Sequence, residues 1–123
     1  MNKNFFDKIR VKHSAEIYFL QQKNKQDFGN NIWKTKELEN SIKNNIFEGN
    51  VFILEKKISG FCFFKKIDNY IEIYSLFVDP RYRKRGVAKF LMKICIEFCI
   101  QNELKKIILE VNEKNLQAIE FYK

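Results

Sequence analysis

The chain has 123 residues, of which 46% are hydrophobic and 15% aromatic, so it can form one packed domain and is not disordered. No apolar run reaches the roughly 18 to 20 residues that a membrane span needs, and the N-terminus lacks the apolar core of a signal peptide. The net charge of +8 comes from lysines spread along the whole chain, which favours an anionic partner but no specific nucleic acid. We therefore expect a single cytoplasmic domain over residues 1–123.

The first third of the chain predicts mainly helices. A short strand is expected within Phe5–Val11, and Ser14–Gln22 favours a helix that Ser14 could cap. The polar segment Lys23–Asn31 predicts a loop. Apolar residues at helical spacing then predict a second helix within Trp33–Phe47, which the sequence Glu-Gly-Asn that follows should end.

Short strands follow, with β-rich composition and turn residues between them. Val51–Glu55 and Ile58–Lys65 form a hairpin pattern, and Tyr70–Val78 predicts a third strand. Pro80 cannot continue a sheet ladder, so this strand should end at or before Asp79. Consecutive short strands of this kind usually pair antiparallel.

The second half predicts a strand–helix–strand unit. Gly86–Ile100 carries an apolar face at helical spacing, and Lys105–Asn112 predicts the next strand, parallel to Tyr70–Val78. A last helix is expected from Asn115 to the end of the chain. The predicted class is α/β, with a mixed central sheet that is antiparallel at its start, parallel at its βαβ end, and flanked by helices.

The segment between the third strand and its helix predicts an anion site. Its sequence is Arg83-Lys84-Arg85-Gly86-Val87-Ala88, which places three basic side chains beside a glycine at the start of a helix. The first N–H groups of a helix have no helical partner, and the helix dipole adds positive potential there. A solvated basic turn with an ordinary loop glycine is the alternative. Neither GxGxxG nor GxxxxGK[ST] occurs, which argues against a dinucleotide fold and a P-loop.

The same segment matches the (Q/R)xxGx(G/A) pyrophosphate loop of the GNAT superfamily of N-acetyltransferases. Downstream, Leu109-Glu110-Val111, Asn115 and Ala118 to Tyr122 resemble the ribosomal-protein-alanine N-acetyltransferases, the RimI type. The resemblance implies the GNAT fold with its last two strands missing, because the chain stops at Lys123. A truncated reading frame, a domain completed by another chain, and a degenerate CoA-binding protein are the open explanations. The missing strands predict association through an open sheet edge.

The resemblance also implies roles for individual residues. Glu110 would be the general base and Tyr122 the general acid, and no metal is expected. Acetyl-CoA would be the cosubstrate, held by the following residues: Leu76, Phe77, Val78, Arg83, Lys84, Arg85, Gly86, Val87, Ala88, Lys89 and Asn115. Plain structural roles remain open for three of these residues: an ion pair for Glu110, a helix N-cap for Asn115, and packing on the sheet for Tyr122.

The acceptor expected from the resemblance is a protein N-terminus, for example an alanine of a ribosomal protein. A peptide α-amine has a pKa of about 8 and a lysine one of about 10.4, so deprotonating lysine at pH 7 costs about 3 kcal/mol more. A single carboxylate base therefore suits the α-amine better. A GNAT enzyme for a small amine and a catalytically impaired CoA-binding module are the alternatives.

Overall fold

The computed structural model describes the backbone of residues 5–111 and 115–120, with side chains for residues 6–109. Within these residues, six strands form one mixed sheet in the order β1-β2-β3-β4-β5-β6. The elements in chain order are β1 (Phe5–Lys8), α1 (Ser14–Lys23), α2 (Lys25–Phe28), α3 (Thr35–Lys43), β2 (Glu48–Leu54), β3 (Lys57–Ile67), β4 (Tyr70–Val78), α4 (Val87–Gln101), β5 (Lys106–Val111) and β6 (Asn115–Glu120).

Helices cover both faces of the sheet, and each face has its own apolar core. On one face α1 and α3 bury Ile17 and Leu38 against the β3 side chains Phe61 and Phe63. On the other face α4 packs Leu91 and its neighbours against the sheet. Because side chains alternate between the two faces of a strand, β3 contributes phenylalanines to both cores. The resulting two-sided burial is the arrangement that the α/β prediction requires.

Close helix–sheet packing brings the start of α4 directly over β3. A Cβ atom added at Gly60 would lie 2.9 Å from Cγ1 of Val87 and 3.0 Å from the carbonyl oxygen of Phe77. Glycine is therefore the residue that fits between the helix and the strand here. This contact fixes the first turn of α4 against the C-terminal end of β4.

The central strand β4 has different partners along its length. It pairs antiparallel with β3 over its whole length, with an irregularity opposite Phe63 and Phe64 that leaves Tyr74 outside the register. Its parallel pairing with β5 extends from Tyr70 to Ile73 and ends there within the described residues. Beyond this point β4 and β5 separate, so the last residues of β4 have no strand on that side among the described residues.

Two predicted elements are wrong. The segment predicted as a loop, Lys23–Asn31, contains helix α2. The helix predicted from Asn115 is the strand β6, which pairs antiparallel with β5 from Lys106 to Val111. A short terminal helix is marginal in isolation, whereas pairing with β5 satisfies the backbone groups of both segments. The edge of β5 that was expected to be open is therefore covered by β6.

The remaining elements agree with the sequence to within a few residues. The three cysteines are buried, as expected for core residues. His13 accepts a hydrogen bond from the backbone N–H of Arg10 at 2.9 Å, which fits a structural role. Among the described residues, no helix combines the length and apolar character needed to cross a bilayer. The same residues contain no cluster of His, Cys, Asp or Glu suited to a metal ion.

Candidate cofactor-binding and active site

An open groove lies where β4 leaves β5, and it has a volume of about 1290 Å³. Its walls come from the end of β4, from the loop that follows it into α4, and from the region of α2, which is distant in sequence from the other two. Most of the cofactor-binding residues predicted from the sequence line it, namely Leu76, Phe77, Val78, Arg83, Lys84, Gly86, Val87, Ala88 and Lys89. The fold thus brings together residues that the sequence argument selected separately.

The predicted residue Arg85 does not line this groove. Its guanidinium lies 5.5 Å from the ring centroid of Tyr82. Together with Phe52, Leu54 and Glu55 it borders a separate cavity of about 360 Å³ on the other side of the loop. Arg85 therefore contributes positive potential to the loop from outside the groove.

One wall of the groove is the exposed backbone edge of β4. Phe77 and Val78 bury their side chains in the two cores, and Leu76 is half-buried. Every second amide and carbonyl of an antiparallel strand points away from its partner, here away from β3. Because β5 does not pair with this part of β4 in the described residues, these groups face the groove. An extended molecule with amide groups can bind there as an added strand does.

The turn after β4 is held by Asp79. Its carboxylate accepts from the backbone N–H of Arg81 at 3.0 Å, and the Arg81 guanidinium pairs with it at 3.2 Å. The carboxylate is almost fully buried. Burial by itself would raise the pKa of Asp79, but the hydrogen bonds from Arg81 outweigh it and hold the pKa below the usual value. This turn sets the direction in which the chain enters the loop.

Replacing Asp79 by asparagine should make folding less stable at neutral pH and less sensitive to acid. Because the pKa of Asp79 is lower in the folded protein, its stabilisation is present above the unfolded pKa of about 3.9 and is lost as the pH falls through the folded pKa. We expect Asp79→Asn to lower the free energy of unfolding by about 1 to 2 kcal/mol at pH 7 and by much less at pH 3. Urea denaturation at both pH values measures this, and equal losses would contradict the charge argument.

The N-terminus of α4 follows a glycine, which has no side chain that could cap the helix. Gly86 is its N-cap residue, with φ of 84°, and among the described residues no side chain forms a capping hydrogen bond; the first turn also lacks acidic residues. A Cβ atom at Gly86 would meet no atom within 4 Å, so the groove reaches the backbone here. Lys84 also has a left-handed φ, of 66°. The free N–H groups and the dipole of a long helix therefore face an open, ligand-sized space.

Some of the basic side chains around the groove form ion pairs with other described residues, and others do not. Arg81 pairs with Asp79, and Arg83 pairs with Asp27 at 3.3 Å. Lys84 and Lys89 line the groove, and their side chains make no hydrogen bond or ion pair to other described residues. These two lysines are the cations that can serve an anionic ligand without breaking an existing contact.

A further wall is formed by the segment from Gln26 to Asn31, which belongs to the predicted loop Lys23–Asn31. Phe28 anchors it by packing against Phe77, with ring centroids 4.9 Å apart. Gln21 fixes the following stretch, since its amide accepts from the backbone N–H of Trp33 at 2.8 Å and donates to its carbonyl at 2.9 Å. The phenylalanine within this polar stretch was the available signal for a packed segment.

The two predicted catalytic residues cannot be placed with their side chains. Glu110 lies on β5, opposite Leu116 of β6, and its side chain is outside the described part. Tyr122 lies outside the described residues altogether. Asn115 begins the strand β6, so the alternative role considered for it, a helix N-cap, is wrong. The roles of these three residues stay predictions.

A second candidate carboxylate, not predicted from the sequence, lies on β4. Glu72 is half-buried and lies two positions before Tyr74, which lines the groove. Burial raises the pKa of Tyr74, and the nearby charge of Glu72 raises it further. Like Glu110, Glu72 is a carboxylate between apolar neighbours in mid-strand, where burial has a desolvation cost. Glu72 is therefore a competing candidate for proton transfer.

Comparison with known proteins agrees with this architecture. The model of the acetyltransferase (GNAT) family matches residues 14–123. An uncharacterized N-acetyltransferase of Methanocaldococcus jannaschii is 40% identical over 52 residues, which are 42% of this chain and 23% of that protein. The chain thus matches less than a quarter of the length of this relative.

Two solved structures show the same fold at low identity. The PaiA N-acetyltransferase of Thermoplasma acidophilum, in complex with coenzyme A, superposes with a TM-score of 0.77 at 15% identity, covering 92% of this chain and 82% of that one. The ribosomal-protein-alanine N-acetyltransferase of Brucella melitensis gives 0.73 at 14% identity, covering 90% and 82%.

The mixed sheet, the diverging strands and the glycine loop at the start of α4 define an acetyltransferase fold. The chain belongs to the GNAT family of acetyltransferases. This confirms the predicted family, fold class and enzyme class, with acetyl-CoA as the family's cosubstrate.

Proposed function

We propose that this chain transfers the acetyl group of acetyl-CoA to the α-amino group of a protein N-terminus, with a ribosomal protein that begins with alanine as the candidate acceptor. The carrying observation is the groove in which the bare N-terminus of α4, Gly86 and the available Lys84 and Lys89 meet the free edge of β4. The diphosphate fits the helix end, and the amides of the pantetheine arm fit the strand edge.

The reaction needs only proton transfers from the protein. The acceptor amine attacks the thioester carbonyl, so a C–N bond forms, the C–S bond breaks, and the sulfur leaves as a thiolate. Glu110 removes the proton from the amine, directly or through water, and Tyr122 donates a proton to the thiolate. Asn115 contributes to cofactor binding in the same scheme.

Two observations support a protein acceptor. The Brucella protein that shares this fold is a ribosomal-protein-alanine N-acetyltransferase. The sequence from Leu109 to Tyr122 resembles that type. An α-amine with a pKa of about 8 can also be deprotonated by one carboxylate more easily than a lysine.

Mass spectrometry of acceptors incubated with acetyl-CoA tests this function. We expect a gain of about 42 Da on a peptide that begins with alanine and carries an internal lysine, located at the α-amine by fragmentation. The same peptide with a blocked N-terminus should stay unmodified. Acetylation of spermidine alone would instead indicate a small-amine enzyme, and acetyl-CoA binding without any transfer would indicate a binding module.

A further inference from the structure

We propose that Arg83 is a positioning residue that ties the cofactor loop to α2, and that it is not a ligand of the diphosphate. Its Nε donates to the carbonyl oxygen of Val78 at 3.0 Å, and its terminal nitrogen donates to Asp27 of α2 at 3.3 Å. The guanidinium also lies 5.7 Å from the ring centroid of Phe77. We call Arg83, Asp27 and the Val78 carbonyl the Arg83 clamp.

The Arg83 clamp joins both walls of the groove. Val78 ends the strand whose edge forms one wall, and Asp27 belongs to the helix that forms the other. Arg83 itself begins the loop that leads to Gly86. A guanidinium suits this position because its planar donors can serve two acceptors at once, which a lysine ammonium does with less geometric control.

This inference rests on the proposed function and assigns the α2 wall to the acceptor side of the same groove. The phosphate loop lies at the start of α4, whereas Gln26, Asn30 and Asn31 line the groove from the α2 segment. The Arg83 clamp then transmits the position of the cofactor loop to the wall against which the acceptor binds. Its loss should weaken acceptor binding more than acetyl-CoA binding.

The exposure of the pair limits the size of the effect. The side chains of Arg83 and Asp27 are 47% and 46% exposed. Exposed ion pairs contribute little, so we expect changes of about 5-fold or less from Asp27→Asn. Arg83→Gln also removes the bond to the Val78 carbonyl and should have the larger effect.

Amide hydrogen exchange, acetyl-CoA calorimetry and steady-state kinetics with the alanine peptide test the Arg83 clamp. We expect Asp27→Asn to speed exchange in residues 25–29 and raise the peptide KM, each about 3- to 5-fold, with kcat and the acetyl-CoA Kd nearly unchanged. Asp27→Glu should restore both values. The double variant with Arg83→Gln should add nothing to Arg83→Gln alone.

The matched control is Asp7→Asn, which breaks another exposed pair, 3.4 Å from Arg10 and outside the groove, and should leave exchange in residues 25–29 and the peptide KM unchanged. The inference would be overturned if Asp27→Asn had the same amide exchange rates in residues 25–29 and the same peptide KM as the wild type. A second pattern would also overturn it. If Asp27→Asn binds acetyl-CoA more tightly, and Arg83→Gln loses as much acetyl-CoA affinity as Lys84→Gln, then Arg83 is a phosphate ligand. Failure of the wild type to bind acetyl-CoA would defeat the proposed function, whereas exchange in the unliganded proteins would still test the Arg83 clamp.

Discussion

Replacing Gly86 by valine is expected to abolish acetyl-CoA binding while the domain stays folded. The backbone at Gly86 has φ of 84°, and a Cβ atom there would have no described atom within 4 Å, so we expect the valine side chain to extend into the groove that Gly86 lines. There it occupies the space that a diphosphate needs next to the first N–H groups of α4. We expect the Kd for acetyl-CoA to rise at least about 100-fold, roughly 2.7 kcal/mol, in a calorimetric titration.

Backbone strain must be separated from this loss of binding. A non-glycine residue in the left-handed region costs about 1 to 2 kcal/mol of stability, which urea denaturation of the Gly86→Val protein should show. Gly29→Val is the matched control, because Gly29 also has a positive φ, of 55°, and open space around its Cβ position. Gly29 has ψ of −122°, outside the left-handed helical region that Gly86 occupies, so Gly29→Val should lose at least as much stability but much less acetyl-CoA affinity. Equal affinity in Gly86→Val and the wild type would discredit the loop assignment.

Replacing Glu110 by glutamine should lower turnover and leave acetyl-CoA affinity nearly intact. A general base contributes about 10²- to 10⁴-fold to a rate, and glutamine keeps the shape but cannot accept the proton. The measurement is kcat and kcat/KM with the alanine peptide across pH 6 to 9, together with the acetyl-CoA Kd. The acidic limb of the pH profile should also change, since it reports the pKa of the base.

Glu72→Gln is the internal comparison for this experiment. Glu72 is the other mid-strand carboxylate near the point where β4 and β5 separate, and its charge acts on Tyr74. If Glu110 is the base, Glu72→Gln should lower kcat much less than Glu110→Gln. A larger loss in Glu72→Gln, with full turnover in Glu110→Gln, would move the base role from β5 to β4.

Regular periodicity explains which parts of the fold were predictable. The helix predicted at Gly86–Ile100 is observed at Val87–Gln101, directly after a glycine, and the strand predicted at Tyr70–Val78 is observed with the same bounds, shortly before a proline. The loop between them was found because Gly86 and its basic neighbours carry chemistry that depends on local sequence alone.

The missed features depend on contacts between distant segments. The separation of β4 from β5 after Ile73 depends on how the two strands pair, and the sequence of β4 alone does not predict it. Helix α2 is held in place because Phe28 packs against Phe77, about fifty positions away in the chain. The polar residues around Phe28 favour a loop when the sequence is considered without this contact. The ion pair between Arg83 and Asp27 likewise could not be predicted from the sequence, which shows only that Arg83 belongs to a basic tripeptide. At the C-terminal end, the tertiary pairing of β6 with β5 overrode the helical pattern expected from Asn115.

The most direct test of the central claim is calorimetric titration of the folded protein with acetyl-CoA and, separately, with acetyl-pantetheine, which lacks the diphosphate. Saturable one-site binding of acetyl-CoA that weakens with added salt, and at least about tenfold weaker binding of acetyl-pantetheine, is the expected result. Absence of any saturable affinity for acetyl-CoA, or equal affinity for both compounds, would contradict a diphosphate held at the N-terminus of α4.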